Sequence, residues 1–180
     1  MADTMRSLAT LATLLGDNSS GNISAQDLRD ALLATVQPGY AQGHIAASSA
    51  TTLSDTSTWK QVEGTWTLDD NSSAWSMTTN GQFLYSGAAV REVNIVAAVS
   101  MTCAQNNQQT QWGIAVDGTV LTPSIIQRYV NTGADIGAAA LVAHTDLSPG
   151  SYITLVCRNI TAGNNITATF ADVVITDFAA

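Results

Sequence analysis

The sequence predicts a mainly β protein, an antiparallel sandwich that follows a short helical segment. Three observations indicate this. Apolar and polar residues alternate over residues 93–103, which is the period of a strand with one face in a core. Turn dipeptides separate further apolar segments, as at Asn80-Gly81 and Asp117-Gly118. Leucines near the N-terminus instead recur every three or four positions, the spacing of one helix face.

The first predicted helix lies in the first 16 residues. Met5, Leu8, Leu11 and Leu15 recur at intervals of three and four, so they share one face of a helix. Gly16 follows directly and is a suitable C-terminal cap, because glycine adopts the left-handed conformation without strain. A polar loop then leads to the second helix.

The second predicted helix begins at Ser24, a residue type whose hydroxyl caps helix N-termini. Ile23 and Leu28 flank this cap at the spacing of a hydrophobic staple. Leu28 and Leu32 form an apolar face, and Pro38 ends the helix. Short helices are marginally stable alone in water, so this segment is expected to pack on another surface. The chain therefore divides into a helical anchoring segment, residues 1–40, and a sandwich domain, residues 41–180.

The sandwich domain contains eight or more predicted strands. Besides residues 93–103, the strand-like segments are residues 65–70, 73–78, 82–86, 111–116, 119–121, 137–147, 151–160 and 166–178. Such a series is typical of an antiparallel sandwich or barrel. A jelly roll is the natural eight-strand arrangement, and an immunoglobulin-like sandwich is the alternative. The jelly roll is preferred, because Leu155 occupies the position of the immunoglobulin corner tyrosine.

The chain carries little charge for its length of 180 residues. Charged residues make up 11% of the sequence, the net charge is −8, and Lys60 is the only lysine. Nucleic-acid binding needs clustered basic residues, whereas the arginines here are scattered, so neither nucleic acid nor a membrane is an expected partner. No apolar run is long enough for a transmembrane helix, and the N-terminus is unlike a secretory signal. We therefore expect synthesis in a cytoplasm.

Residues able to carry catalysis are few and scattered. Glu63 and Glu92 are the only glutamates, and many aspartates stand at turns, where they usually hydrogen-bond their own backbone. His44 and His144 are far apart in the sequence. Motifs for a nucleophile elbow, a dinucleotide or a phosphate loop are absent. We therefore predict no catalytic residue, no cofactor and no metal site, and a function that is not enzymatic.

The two cysteines, Cys103 and Cys157, each lie in an apolar alternating segment. Buried cysteine behaves as a small hydrophobic residue, and this is the preferred interpretation. A disulfide between them is the alternative if the two strands are neighbours.

A sequence motif near the N-terminus resembles one that recurs in tailed-bacteriophage virion proteins. Residues 17–30 match the pattern D-N-x-x-G-x-I-S-x-Q-D-L-R-D. The remainder, from about residue 43 to residue 178, resembles the TNF-like jelly roll that often follows this motif, most closely over residues 112–161. The resemblance implies a homotrimer on the surface of a virion, as a capsid decoration (cement) protein, a head fibre or a tail-fibre tip.

Two sets of contact residues follow from these expectations. A trimer interface is predicted at Ala98, Ala139 and Leu141, because the strands around them are apolar on both faces; a central strand under a loop is the alternative. Docking on the major capsid protein or another virion protein is predicted through the leading segment. Its residues are Leu8, Leu11, Leu15, Ile23, Leu28 and Leu32. The alternative function is a tail-associated tip that recognises a host surface glycan.

Overall fold

The computed structural model describes residues 39–132 and 136–179, which form two antiparallel sheets packed face to face. The strands are β1 (Tyr40–Ser48), β2 (Ala50–Thr51), β3 (Lys60–Gln61), β4 (Gly64–Asn71), β5 (Trp75–Met77), β6 (Phe83–Tyr85), β7 (Arg91–Cys103), β8 (Gln108–Val116), β9 (Thr119–Val120), β10 (Ile126–Val130), β11 (Gly137–Leu147), β12 (Tyr152–Asn159) and β13 (Ile166–Ala179). The first sheet has the order β11-β7-β13-β1-β4, with β2 beside β13. The second has the order β10-β8-β12-β6-β5, with β3 beside β12 and β9 beside β8.

The antiparallel sandwich predicted from the sequence is confirmed. The predicted strand over residues 93–103 is β7 without its first two residues, and the final apolar segment is β13. The two predicted helices lie in residues 1–38 (the leader), outside the described residues. The first strand begins at Tyr40, next to the predicted start of the sandwich domain.

The predicted turn dipeptides occupy tight connections. Asp117 and Gly118 both have positive φ, 49° and 78°, and join β8 to β9 by a two-residue turn, the geometry that Asp-Gly favours. Gly81, with φ of 83°, lies in the connection between β5 and β6. A β-carbon there would stand 2.6 Å from the Trp66 indole. Glycine is therefore required at this position both by its φ and by its close approach to Trp66.

The core lies between the two sheets and is built from alternate residues of each strand. The largest fully buried side chains include Trp112, Tyr85, Phe83, Ile95 and Met101. Trp66 of the first sheet packs edge-on against Phe83 of the second, with ring centroids 6.3 Å apart. Trp75 and Tyr85 are directly paired on neighbouring strands of the second sheet, and their ring centroids are 5.2 Å apart. Burial of such rings is among the largest contributions that single side chains make to stability.

Both cysteines are buried as free thiols. Cys103 lies in β7 of the first sheet and Cys157 in β12 of the second, so their strands are not neighbours within a sheet. The Cys103 thiol donates to the carbonyl oxygen of Asn165 at 3.2 Å. The interpretation as small buried side chains is confirmed, and the disulfide left open by the sequence is not formed.

We expect the stability of the protein to fall in alkali because of Cys157. Burial raises the pKa of this thiol to about 12, from 9.0. Above about pH 9 the unfolded thiol ionises while the native thiol stays protonated. The free energy of unfolding therefore falls by up to about 1.4 kcal/mol per pH unit. Urea unfolding at about pH 8 and about pH 10.5 should show a loss of about 2 kcal/mol from this residue. The Cys157→Ala variant is the control, because it should lack this part of the pH dependence; an identical pH dependence in both proteins would contradict the assignment.

The two ends of the sandwich differ in what they hold. Gly39, Arg91 and Phe178 lie at one end, where the leader joins the domain; this is the leader end. Cys103 and Ile166 pair at the opposite, far end.

A buried aspartate fixes the point where the leader joins the sandwich. Asp177 is 2% exposed and accepts hydrogen bonds from the backbone N–H of Gly39 at 2.9 Å and from the Trp75 indole N–H at 2.8 Å. The backbone N–H of Asp177 in turn donates to the Gly39 carbonyl at 2.8 Å. A β-carbon on Gly39 would collide with the carboxylate. The position of Gly39, the first described residue, is thus set by specific bonds.

Candidate subunit interface on the first sheet

The outer face of the first sheet is unusually apolar. In β7 the side chains of Val93, Ile95, Ala97 and Val99 point into the core. The intervening residues point outward, and among them Val96 is 50% exposed. A sheet with one face in the core usually carries polar residues on the other. The outer face here instead presents aliphatic side chains.

Three neighbouring strands align these side chains in rows. The register pairs Val142 of β11 with Val96 of β7, and Val96 with Val174 of β13. Val142 is 63% exposed. One row nearer the far end, Ala140 pairs with Ala98, and both are exposed. Directly paired residues on one face touch each other. The apolar surface therefore spans three strands in the row of Val96, whereas in the row of Ala98 it spans β11 and β7 and ends at Asp172 of β13, which pairs with Ala98.

Phe170 extends this apolar surface towards the far end. The pairing of β13 with β7 shifts between Ala168 and Phe170, which is a β-bulge. The extra residue turns Phe170 outward, where it is 59% exposed. Its ring borders a shallow depression of about 340 Å³ formed with Ala98, Ser100, Ala138 and Ala140. The depression is open and lined mainly by apolar atoms, as is usual at the centre of a protein interface.

Polar side chains border the apolar surface on the β1 and β4 side. The Gln42 amide donates to both carboxylate oxygens of Asp172, at 3.4 and 3.3 Å. His44 Nδ1 lies 2.8 Å from Asp69 Oδ2. An apolar centre with a polar border is the usual composition of a protein interface.

The leader end of the same face is polar and acidic. His144 Nδ1 lies 2.8 Å from Asn94 Oδ1. In the next row Glu92 and Asp146 are directly paired across β7 and β11, and both are exposed. Like charges directly opposite each other destabilise an isolated sheet. The apolar surface is therefore limited to the middle and the far part of the face.

The structure separates the three predicted interface residues. Ala98 is exposed on the outer face, as an interface residue must be. Ala139 is half-buried and packs against the core. Leu141 is completely buried in the core, so its side chain has no surface to offer a neighbour, and its assignment to the interface is wrong. The choice of Leu141 failed because strand residues alternate between faces, and Ala140 and Val142 occupy the outer one.

Three exposed residues of the candidate interface were missed by sequence reasoning. Val96 and Val142 could have been found by extending the alternation of β7 to both faces and by assigning Leu141 inward. Phe170 carried no such signal, because the bulge reverses the alternation within β13. The predicted docking residues Leu8, Leu11, Leu15, Ile23, Leu28 and Leu32 lie outside the described residues.

Within residues 39–132 and 136–179, no three His, Cys, Asp or Glu side chains come together in an arrangement that could bind a metal ion. In the same part of the chain, no helix is both long and apolar enough to span a membrane. The expected absence of catalysis stays a prediction.

The strand order and the two-sheet packing define a protein with a TNF-like jelly-roll fold. The crystal structure of murine APRIL at pH 5.0 is similar over 77% of this chain and 98% of that chain, with a TM-score of 0.51 and 10% sequence identity. The structure of Eiger TNF from S. frugiperda is similar over 79% of this chain and 94% of the Eiger chain, with a TM-score of 0.48 and 14% sequence identity. Neither a family model nor a curated protein matches the sequence. At this identity the likeness shows the fold, which confirms the TNF-like jelly roll predicted from the sequence.

Proposed function

We propose that this chain is a structural protein on the surface of a tailed-bacteriophage virion, where it forms a homotrimer that decorates the capsid. The leader docks each subunit on the particle, and the jelly roll stands outside it. The observation that carries this proposal is the exposed apolar surface on the first sheet. The resemblance of residues 17–30 to a virion-protein motif supports the location.

The apolar surface supports self-association. Monomeric proteins rarely expose a large contiguous apolar patch unless it binds something, and Val96, Val142 and Phe170 are each at least half exposed here. Burying apolar area stabilises an assembly by about 25 cal/mol per Å². A TNF-like fold is compatible with a trimeric structural or binding protein. A second and a third copy of the same chain are the simplest partners for this face.

The position of Gly39 supports a docking role for the leader. Asp177 holds Gly39 at one end of the sandwich, so the leader emerges from that end. A subunit anchored there would hold its far end away from the particle. Attachment would stabilise the shell because each bridged contact between capsid subunits adds an interface that must be separated before the shell opens.

Removing the leader should abolish docking but leave the sandwich folded. The variant lacks residues 1–38 and retains Gly39, so the hydrogen bonds of Asp177 are kept. Purified full-length and truncated proteins would be mixed with undecorated heads, and the bound copies counted after sedimentation. We expect saturable binding of the full-length protein and no binding of the truncated protein. The circular dichroism spectra of the two proteins should be similar. Equal binding of the truncated protein would show that the leader is not the anchor.

The alternative location is the tail, where a TNF-like trimer would serve as a receptor-binding tip for a host glycan. Copy number separates the two locations, because a capsid decoration protein is present in many copies per particle and a tail tip in few. Quantitative mass spectrometry of intact virions, with the major capsid protein as reference, measures this ratio.

A further inference from the structure

The two sheets carry opposite charge. Within residues 39–132 and 136–179, the strands of the first sheet contain one cation, Arg91, and the carboxylates Asp69, Asp70, Glu92, Asp146, Asp172 and Asp177. The strands of the second sheet contain no carboxylate and three cations, Lys60, Arg128 and Arg158. In a chain with a net charge of −8, the second sheet is therefore where an anion meets the least repulsion.

A row of planar polar side chains crosses the outer face of the second sheet. Arg158 of β12 pairs with Gln111 of β8, and Gln111 pairs with Gln127 of β10. Arg158 Nε donates to Gln111 Oε1 at 2.8 Å, and Gln111 Nε2 donates to Gln127 Oε1 at 3.0 Å. Strands are about 4.8 Å apart, so the row extends about 10 Å across three strands and ends in the exposed Gln127 amide.

The guanidinium in this row is fixed in place before any ligand arrives. It stacks on the Trp59 ring, with Arg158 Cζ 4.7 Å from the ring centre. Its Nη1 donates to the Ser57 carbonyl at 3.0 Å. Within the described part of the chain, its Nη2 has no hydrogen-bond acceptor. A pre-ordered cation loses little side-chain entropy on binding, and the free edge of a guanidinium suits a carboxylate.

The loop that supports Trp59 is itself ordered by a carboxylate. Asp55 accepts hydrogen bonds from the backbone N–H groups of Ser57 and Thr58 at 2.7 and 2.6 Å, and from both hydroxyls. These bonds hold the pKa of Asp55 well below its usual range. Both carboxylate oxygens of Asp55 are therefore occupied by hydrogen bonds within their own loop.

An exposed aromatic ring borders the row on the edge strand. Tyr129 lies two residues beyond Gln127 in β10, on the same face of the strand, and is 73% exposed. Asn159, next to Arg158, reaches Cys103 at the far end of the first sheet. The row and Tyr129 therefore lie in the far half of the domain, away from the exit of the leader.

From this arrangement we infer that the far half of the outer face of the second sheet binds an acidic oligosaccharide. Arg158 Nη2 receives the carboxylate of a uronic or sialic acid residue. The amide of Gln127 offers both donors and an acceptor to sugar hydroxyls. Tyr129 provides the ring against which the apolar face of a sugar packs. The row of side chains runs across three strands, which suits a chain of sugars lying across them.

Saccharide binding is a property separate from decoration, and purified protein tests it without a particle. Failure to decorate heads would leave the saccharide site untouched, and failure to bind saccharide would leave decoration untouched. Trigalacturonic acid and a sialic acid dimer are suitable probes, with maltotriose as the neutral control. Calorimetric titration of the full-length protein measures binding at low and at moderate salt.

We expect binding of at least one acidic probe, no binding of maltotriose, and weaker binding as salt increases. Tyr129→Ala should weaken binding about tenfold, which corresponds to the loss of one aromatic contact. Tyr40→Ala is the matched control, because Tyr40 is an exposed tyrosine of the first sheet, 41% exposed, and should leave affinity unchanged. Absence of binding by both acidic probes, equal binding of maltotriose, or equal affinity of the two variants would each overturn the inference.

Discussion

Replacing Val142 with aspartate should convert a three-subunit assembly into folded single chains. Val142 is 63% exposed in the isolated subunit and is paired with Val96 in the middle of the apolar surface. A carboxylate buried there without a partner costs several kcal/mol per subunit, and a closed trimer would contain three. The side chain points away from the core, so the sandwich itself should keep its stability. Native mass spectrometry at micromolar concentration measures the assembly, and circular dichroism checks the fold.

Val90→Asp is the matched control for this experiment. Val90 is 46% exposed and lies just before β7, outside the strands that form the apolar surface. We expect this variant to assemble like the unmodified chain. Single chains in the unmodified protein, or a three-subunit species that survives Val142→Asp, would refute the proposed interface.

Sequence reasoning assigned the inward face of β7 correctly and that of β11 wrongly. The alternation over residues 93–103 placed Val93, Ile95 and Val99 in the core, and the structure confirms each of them. The same rule, applied to residues 137–147, separates Leu141 from Val142. The error arose because an alanine-rich strand gives a weak signal for its inward face, and only the pairing with β7 settles it.

Other features depend on pairings between distant segments, which one sequence does not specify. β11 and β12 are joined by a turn at residues 148–151 but belong to different sheets, so their connection crosses between the two layers. The row from Arg158 to Gln127 unites three strands in the same way. The spacing of these residues along the chain does not predict that they are in contact. Their chemistry became visible only when the register was known.

The buried carboxylate of Asp177 should be the most sensitive polar position of the domain. Asp177→Asn replaces one acceptor oxygen with a donor amide, which then faces either the Gly39 N–H or the Trp75 indole N–H. Each hydrogen bond to a buried charge contributes about 1.5–3 kcal/mol, and a donor facing a donor adds a desolvation cost. We expect the free energy of unfolding to fall by about 3 kcal/mol. Urea unfolding at one fixed protein concentration measures it, since assembly also shifts stability.

Asp146→Asn is the matched control, because Asp146 is an exposed aspartate of the first sheet. Exposed substitutions of this kind change stability by no more than about 0.5 kcal/mol. A second comparison tests the partner: Trp75→Phe removes the indole N–H but keeps an aromatic ring in the core. If Asp177 acts through that bond, the loss in the double variant should be smaller than the sum of the two single losses. Equal unfolding midpoints for Asp177→Asn and Asp146→Asn would show that the leader exit is held by strand pairing alone, since the Gly39 carbonyl would still accept from the backbone N–H of residue 177.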